Sequence, residues 1–444
     1  MNTERSILRR DVIAWSLYDF ANTIFSMNII SLYLKRHIVE DLGFGDRHFD
    51  IPYSISMLAA ALVLPALGAI SDQAGKKKAF LFLFTLTCCI ATGLLAFVPV
   101  GAIAVTIVLL ITANFSYEAG QPFYNALLYS VAEGRQARFV SGVGVAMGYV
   151  GSVGGMLLVL PFVTGSLFSW DVPLLEAGGK TAAFIPTAVL FFLFALPTFL
   201  WVKEKRSRTV STPGLIRAYK EVWESLRDTR RYPGVLRFLI ADYFIEDAVA
   251  VVIINMGLYA SVVIGFHEEL ITMFLVVSTV SAVIGSFIIG KVATIVSLKK
   301  LMVVIVAGWL AGLVLFVFTA SQSMIWILGS LIGILLGGLW TVSRPLLAEL
   351  VPENELGRFF GLFSLSGRAA AVLGPLIWTA SVYLFNANRF LGGQVVEIFK
   401  IGPEQYDQLP YRAAVLSLVV MMAIGLFIFR KVPETGDMDY AKKG

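Results

Sequence analysis

Seven charged side chains stand where a chain this apolar should carry none: Asp19, Glu118, Asp242, Glu246 and Asp247, with Arg344 and Arg368. Each lies in a stretch apolar enough to cross a bilayer. A charge at the centre of such a helix costs about 2.5–3.5 kcal/mol on insertion scales, so it normally faces a protein interior or a water-filled path. If all seven ionised, five acids against two arginines would leave three negatives uncompensated. Some of the acids are therefore expected to hold protons. A carboxyl whose proton depends on the side it faces can couple proton flow to the movement of another solute. The arginines suit a different task, because a guanidinium stays charged and grips a carboxylate through two parallel hydrogen bonds.

Spacing groups these residues. Glu118, Gln121, Asn125 and Tyr129 recur every three or four positions, and Asn114 continues the stripe, so they share one helix face. Tyr18, Asp19 and Asn22 lie within about one turn of each other, and Trp340 and Arg344 stand four apart. An amino-acid-like solute needs an anion site, an ammonium acceptor and a modest apolar wall. Arg344 or Arg368, an acid such as Asp19 or Glu118, and Trp340 would supply them. The expected solute-binding set is Tyr18, Asp19, Asn22, Gln121, Asn125, Trp340, Arg344 and Arg368. The expected proton-coupling set is Glu118, Asp19 and Glu246, led by Glu118 because it falls nearest the midplane. Asp19 is shallower, near an inner gate, and better suited to binding or orienting. A structural Arg–Glu pair between helices is the competing reading. Asp242 and Asp247 are expected to be hydrated near a cytoplasmic mouth.

The elements that must carry these groups are transmembrane helices. The chain is 57% hydrophobic and 15% charged, with a mean hydropathy of +0.80, which places it outside soluble domains. About 20 apolar residues are needed per span. Twelve stretches qualify, near 12–34, 49–70, 78–98, 102–131, 138–162, 182–202, 236–262, 269–293, 300–320, 323–350, 357–385 and 411–430. The first run carries Asp19 and Asn22 and lacks a small-residue cleavage site, so it reads as a retained span. Cys88 and Cys89 are adjacent within a span and suggest neither a disulfide nor a metal site. With an even number of spans, 26 Lys and Arg fall on the side of the termini and seven on the other, so both termini are expected in the cytoplasm.

A basic polar connector splits the spans six and six, giving an N-terminal bundle at 1–202, a connector at 203–235 and a C-terminal bundle at 236–444. Thr212-Pro213 reads as a cap, and Leu215, Tyr219, Val222 and Leu226 then recur at helical spacing, so an amphipathic helix at the membrane surface is expected. The halves echo one another. Asp19 and Asn28 are nine apart, as are Glu246 and Asn255; Gln121-Pro122 corresponds to Arg344-Pro345; Gly142 and Gly148 are spaced like Gly361 and Gly367. Such duplication belongs to proteins that rock two halves around a central site.

The loop Gly68-Ala69-Ile70-Ser71-Asp72-Gln73-Ala74-Gly75-Lys76-Lys77-Lys78 resembles the G-x-x-x-D-x-x-G-x-[RK]-[RK] signature of the major facilitator superfamily. Its counterpart after span eight has Thr294 in place of the acid. Trp15 to Asn22 resembles the W-x-x-Y-D-x-A-N start of the vacuole-effluxer-like branch, also called the unknown major facilitator family. Phe123-Tyr124-Asn125-Ala126, Ser141-Gly142-x-Gly144 through Gly148-Tyr149, Ser343-Arg344-Pro345 and Arg358-Phe359-Phe360-Gly361 resemble its later elements, with Pro345 where a small polar residue is common. The resemblance implies an all-α polytopic membrane protein with twelve transmembrane helices in two pseudo-symmetric six-helix bundles. It implies a conformational latch at Gly68, Asp72, Gly75, Lys76 and Lys77, and, for fungal members, export of amino acids from the vacuole.

Other signals fall away. Gly178-Gly179-Lys180-Thr181 imitates a phosphate loop, but Leu174 stands where the first glycine is needed. His37, His48 and His267 fall at outer loops or helix ends and read as exposed. Glycines of span five read as close-packing positions. The expectation is thus a secondary active transporter of a small polar or zwitterionic solute, such as a neutral amino acid, working by alternating access with proton coupling as symport or antiport. Efflux of amphiphilic drugs or lipids, or a non-transporting sensor or scaffold, are the alternatives; an enzyme is not expected. The expected partners are a small-molecule solute, a proton or other coupling ion and the lipid bilayer of a cell (inner) membrane. Neither nucleic acid, cofactor nor metal is expected, and the protein should act as a monomer.

Overall fold

Long apolar runs with few breakers can only satisfy their backbone in lipid as helices, and helices dominate the chain in a computed structural model. The structure describes residues 9–74, 77–132, 134–167, 170–171, 176–204, 220, 227, 232–293, 295–319, 321–351, 359, 362–363, 365–367 and 371–434. The amphipathic helix expected in the connector lies outside the described residues, apart from Lys220 and Arg227. Two units emerge: Met1–Tyr219 with Met256–Leu258 and His267–Val276, and Lys220–Asn255 with Tyr259–Phe266 and Val277–Gly444.

The first unit contains α1 (Arg10–Phe25), α2 (Arg47–Ala74), α3 (Lys77–Leu95), α4 (Ile103–Val131), α5 (Gly134–Thr164) and α6 (Phe184–Trp201). A two-residue strand β1 (Ser166–Leu167) pairs antiparallel with β2 (Trp170–Asp171) between α5 and α6. The second unit takes its core from α7 (Pro233–Tyr259), α9 (Leu298–Phe318), α10 (Gln322–Glu349), α11 (Leu373–Leu384), α12 (Phe390–Phe399) and α13 (Leu409–Phe429). Helix α8 (Glu268–Val292) begins in the first unit and continues in the second. Among the described residues, nine helices are long and apolar enough to cross a membrane. The remaining predicted spans correspond to α1, α2 and the 12-residue α11, which follows a turn at Ala371–Val372.

Span one departs from its sequence reading. Regular helix stops at Phe25 and gives way to a π-helical stretch over Ser26–Tyr33, then one α-turn, then a second π-helical stretch over His37–Asp41. The wider turn carries the helix beyond position 34, where hydropathy ends the span. A five-residue hydrogen-bond register has no signature in a 3.6-residue pattern. Prolines at 122, 161, 197 and 345 sit inside helices, each removing one backbone donor.

Lipid gives helices no hydrophobic reason to associate, so close backbone packing has to supply the contact energy. The glycines of α5 do this against α1. A methyl group at Gly151 would overlap the Phe20 backbone, and one at Gly155 would meet Ile24 Cγ1 at 2.9 Å. In the second unit Gly333 and Gly337 of α10 bring it equally close to Ser278 and Ala282 of α8. Apolar side chains such as Leu83, Ile90, Val189 and Leu193 point outward, as a lipid solvent requires. Gly151→Val should therefore push α5 off α1 and destabilise the fold by about 3 kcal/mol. Thermal unfolding in detergent checks this, with exposed Val150→Leu expected to be silent.

Candidate functional site

In the first unit the site is built around Asp19 on α1. Two residues of its motif, Trp15 and Tyr18, sandwich Tyr124 of α4 at ring-centroid distances of 4.6 and 4.8 Å. Trp15 Nε1 donates to the Tyr124 carbonyl at 3.1 Å, and Tyr18 pairs its hydroxyl with Thr85 Oγ1 at 2.7 Å. The backbone at Gly144 of α5 comes so close that a Cβ there would lie 2.9 Å from Asp19 Oδ2 and would crowd the Trp15 ring. Asn22 Nδ2 donates to Asp19 Oδ1 at 3.3 Å, and Thr23 Oγ1 donates to the Gly148 carbonyl at 2.8 Å. Three sequence elements, W-x-x-Y-D-x-A-N, F-Y-N-A and G-x-x-x-G, thus converge to fix one carboxyl.

Of the solute-binding residues expected in this unit, Asp19 and Gln121 are half-buried, Asn125 is exposed, and Asn22 and Tyr18 are buried. Tyr18 faces Thr85, Tyr124 and Phe191 in the aromatic core. Glu118 is half-buried on the Gln121 face of α4. Asn114, which continues that stripe in sequence, donates to Ser56 Oγ of α2 at 2.7 Å and serves packing. Sequence reasoning misses Thr23, because a threonine in a span does not stand out, and reads Tyr124 only as part of the F-Y-N-A element, without a role at the site.

In the second unit α7 and α10 carry the chemistry. Glu246 accepts a hydrogen bond from Trp340 Nε1 at 3.2 Å, and the Arg344 guanidinium one turn along α10 acts electrostatically on the same carboxylate. Trp340 is 41% exposed, so its ring keeps a free surface. Arg368 lies outside the described residues. Asp242 and Asp247 depart from the hydrated reading: they are 1% and 0% exposed, and neither oxygen of Asp242 has a hydrogen-bond partner. Asp247 is wedged against Gly374 in the first turn of α11, where a Cβ would collide with the carboxylate. What places them inside is a helix turned to bury these positions, which residue type alone conceals.

Of the latch residues, Gly75 and Lys76 lie outside the described residues, and for Gly68 and Asp72 only the helical backbone is described. Lys77 is placed. Its backbone N–H donates to Glu204 Oε1 at 2.7 Å, and that of Lys78 to Glu204 Oε2 at 3.3 Å, so Glu204 caps the N-terminus of α3. Lys78 Nζ also reaches the Val202 carbonyl at 2.9 Å.

At the other end of the first unit stands a charged network. Arg36 grips Glu268 with two bonds, at 2.8 and 3.0 Å, and also pairs with Glu40 at 3.1 Å. Lys180 pairs with Asp41 at 2.7 Å and Glu40 at 3.1 Å, His37 Nδ1 meets Asp41 Oδ2 at 2.8 Å, and Ser166 Oγ donates to Glu269 at 2.6 Å. His37 is therefore engaged, with its side chain only 14% exposed. Partial burial alone would push the Asp41 carboxyl up, but hydrogen bonds from His37 and Lys180 outweigh it and hold the group below its ordinary range. A depressed folded value contributes stability above the unfolded value near about pH 4, lost as pH falls through the folded value. Melting temperature should thus drop on acidification below about pH 4, and Asp41→Asn should flatten that limb of the profile.

Known proteins resemble the chain in sequence and fold. A profile described as Major Facilitator Superfamily matches residues 3–156, and one described as Vacuole effluxer Atg22 like matches residues 129–389. The second covers more than half of the chain. The chain belongs to the vacuole effluxer Atg22-like family. Among relatives of this Atg22-like chain, an MFS-type transporter, YxiO, of Bacillus subtilis is 24% identical over 437 residues, which is 97% of this chain and 96% of the relative. Autophagy-related protein 22 of Botryotinia fuckeliana is 24% identical over 55% of this chain and 39% of its own length. In fold, the chain is similar to a bacterial homolog of the human lysosomal transporter Spinster (TM-score 0.70, 14% identity, 96% of each chain). It is also similar to the nucleoside transporter NupG (TM-score 0.67, 13% identity, 97% and 99% of the two chains). This Atg22-like protein is a multi-pass membrane transporter of the major facilitator type.

Proposed function

We propose that the protein is a proton-coupled secondary transporter of a small zwitterionic solute, a neutral amino acid being the type case. The observation that carries this is the trio on α7 and α10. Glu246 offers an acceptor for an ammonium, Arg344 a fork for a carboxylate, and the exposed face of Trp340, one turn from Arg344 on α10, a wall for an apolar side chain or a cation–π contact. Those three chemistries match the three parts of a neutral amino acid. Asp19 with Asn22, and Glu118 with Gln121 and Asn125, supply the corresponding polar groups of the first unit, on helices equivalent by sequence repeat. Transport runs by alternating access of the two six-helix halves, 1–202 and 236–444, from a cell membrane with both termini in the cytoplasm. The Gly68–Lys77 latch steadies one conformation, and the protein acts as a monomer.

Protons enter the account through charge. With Arg344 shared between Glu246 and a solute carboxylate, arrival of the solute leaves the acidic face of α7 that carries Glu246 short of positive charge, and a proton held on that face supplies it. Glu118 and Asp19 carry the same duty in the first unit.

A thermal-shift panel of purified protein against amino acids, peptides, sugars and nucleosides tests the solute class. Stabilisation by neutral amino acids, growing with concentration as binding linkage requires, is expected. Stabilisation only by nucleosides, sugars or amphiphiles would replace the proposal with another solute class.

A further inference from the structure

We propose that Asp242 and Glu246 form a proton-binding pair within α7, in which Asp242 is the group that holds the proton. The proposal rests on the reading above of an ion-coupled transporter and names the group that does the coupling. Residues 242 and 246 are one turn apart and share a helix face. Their surroundings differ. Glu246 is half-buried, accepts from Trp340 Nε1 and lies in the field of Arg344. Asp242 is 1% exposed, and neither of its oxygens has a hydrogen bond. A charged carboxylate in such a place would forfeit its hydration for nothing, and the group neutralises by binding a proton instead.

Among the described residues of the helices set against α7, no other group is placed to do the neutralising. Helix α13 meets this part of α7 with Gly425, set against the Ala241 carbonyl, Phe244 and Ile245. The titratable residues of α13, Tyr411 and Arg412, lie toward its start, where Arg412 donates to the Val317 carbonyl and to Gln408. Helix α11 meets α7 with Gly374, set against Asp247 and Val251, and its one titratable residue, Tyr383, stacks under Arg389 at 4.3 Å. Asp247, also buried and set against Gly374, is five positions along and about 140° around the helix from Asp242. From α10, Trp340 and Arg344 engage Glu246.

The division of labour follows. Arg344 compensates one negative charge of the pair, and the proton on Asp242 removes the other. A solute carboxylate that draws Arg344 away leaves two carboxyls on one face with less positive charge. Loss of the Asp242 proton in that state would place two like charges one turn apart in an apolar setting, so the proton stays while the solute is bound. Release of solute returns Arg344 to Glu246 and frees Asp242 to exchange its proton when its end of the helix meets water.

Dicyclohexylcarbodiimide, an apolar reagent that attacks protonated carboxyls, tests this without any solute. The full-length protein in liposomes is labelled across a range of pH, and the adduct is located by fragment mass spectrometry. An adduct on Asp242 is expected at acidic pH, falling about tenfold per pH unit once the group titrates and indifferent to sodium at constant pH. Asp242→Asn should lose it and Asp242→Glu should keep it. No adduct at any pH, an adduct on Glu246 in place of Asp242, or suppression by sodium at fixed pH would overturn the assignment, the last in favour of a metal-cation site. Should Asp242→Asn fail to fold, site location in the unaltered protein still decides. Because no solute is present, this proposal can fail while the zwitterion site stands, and the reverse.

Discussion

Asp50→Ala is expected to cost the folded protein about 3 kcal/mol, the low end of the penalty for breaking a buried ion pair, because Lys35 keeps only Asp46 to compensate its buried charge. The charge is that of Lys35, whose side chain is 2% exposed and whose Nζ lies 2.7 Å from Asp50 Oδ1 and 3.1 Å from Asp46 Oδ1. Phe49 lies beneath it, 5.7 Å from Nζ to ring centroid. Asp50 itself is fully buried, so neither partner has water to fall back on. Removing one ion from such a set is far worse than removing both, since a well-packed apolar pair can replace an ion pair at little cost. The double replacement Lys35→Met with Asp50→Leu should therefore recover most of the lost stability. Asp46 can spare Lys35 because it stands just before the N-terminus of α2, where the helix dipole favours a carboxylate. Thermal melts of the single and double variants in detergent check both statements. If the double variant proves no more stable than Asp50→Ala, the stranded-charge explanation is wrong.

The second large effect concerns solute affinity. Arg344→Ala should weaken binding by about 10- to 150-fold, because charge-assisted hydrogen bonds contribute about 1.5–3 kcal/mol. Folding should be little altered, since Arg344 is exposed. Arg344→Lys keeps the charge but not the fork, and should recover only part of the affinity. Titration of the thermal shift with the best amino acid of the panel measures both variants. An equal loss for a solute lacking the carboxylate would show that Arg344 acts through Glu246 rather than on the solute.

The sequence disclosed the spans well and the surroundings of their polar residues poorly. Apolar runs marked α3 to α10 and α13 to within a few residues, since hydropathy reports directly on what lipid demands of a helix. The π-helical continuation of α1 through Asp41 escaped, because Lys35, Arg36, His37, Glu40 and Asp41 end the apolar run at 34. They remain helical through the ion pairs of Lys35, Arg36 and Asp41, which involve residues from elsewhere in the chain. The small-residue reading of α5 was legible because glycine spacing encodes a packing face. At the site, residue type announced Asp19, Glu246 and Arg344 as costly charges. It did not announce that Tyr124 would be clamped between Trp15 and Tyr18, nor that Asp242 would be buried with no hydrogen bond while Glu246, one turn away, has Trp340. Those differences come from which neighbour each helix face meets, and a single sequence holds that only in tertiary form.

Uptake into proteoliposomes under an imposed pH gradient tests the central claim most directly. Purified protein is reconstituted, a radiolabelled neutral amino acid is supplied on one side, and accumulation is followed with and without a protonophore. Accumulation should depend on the gradient, collapse with the protonophore and, at low solute concentration, fall steeply for Arg344→Ala. Accumulation that ignores the pH gradient, or none for any amino acid while another solute class is carried, would contradict a proton-coupled zwitterion transporter.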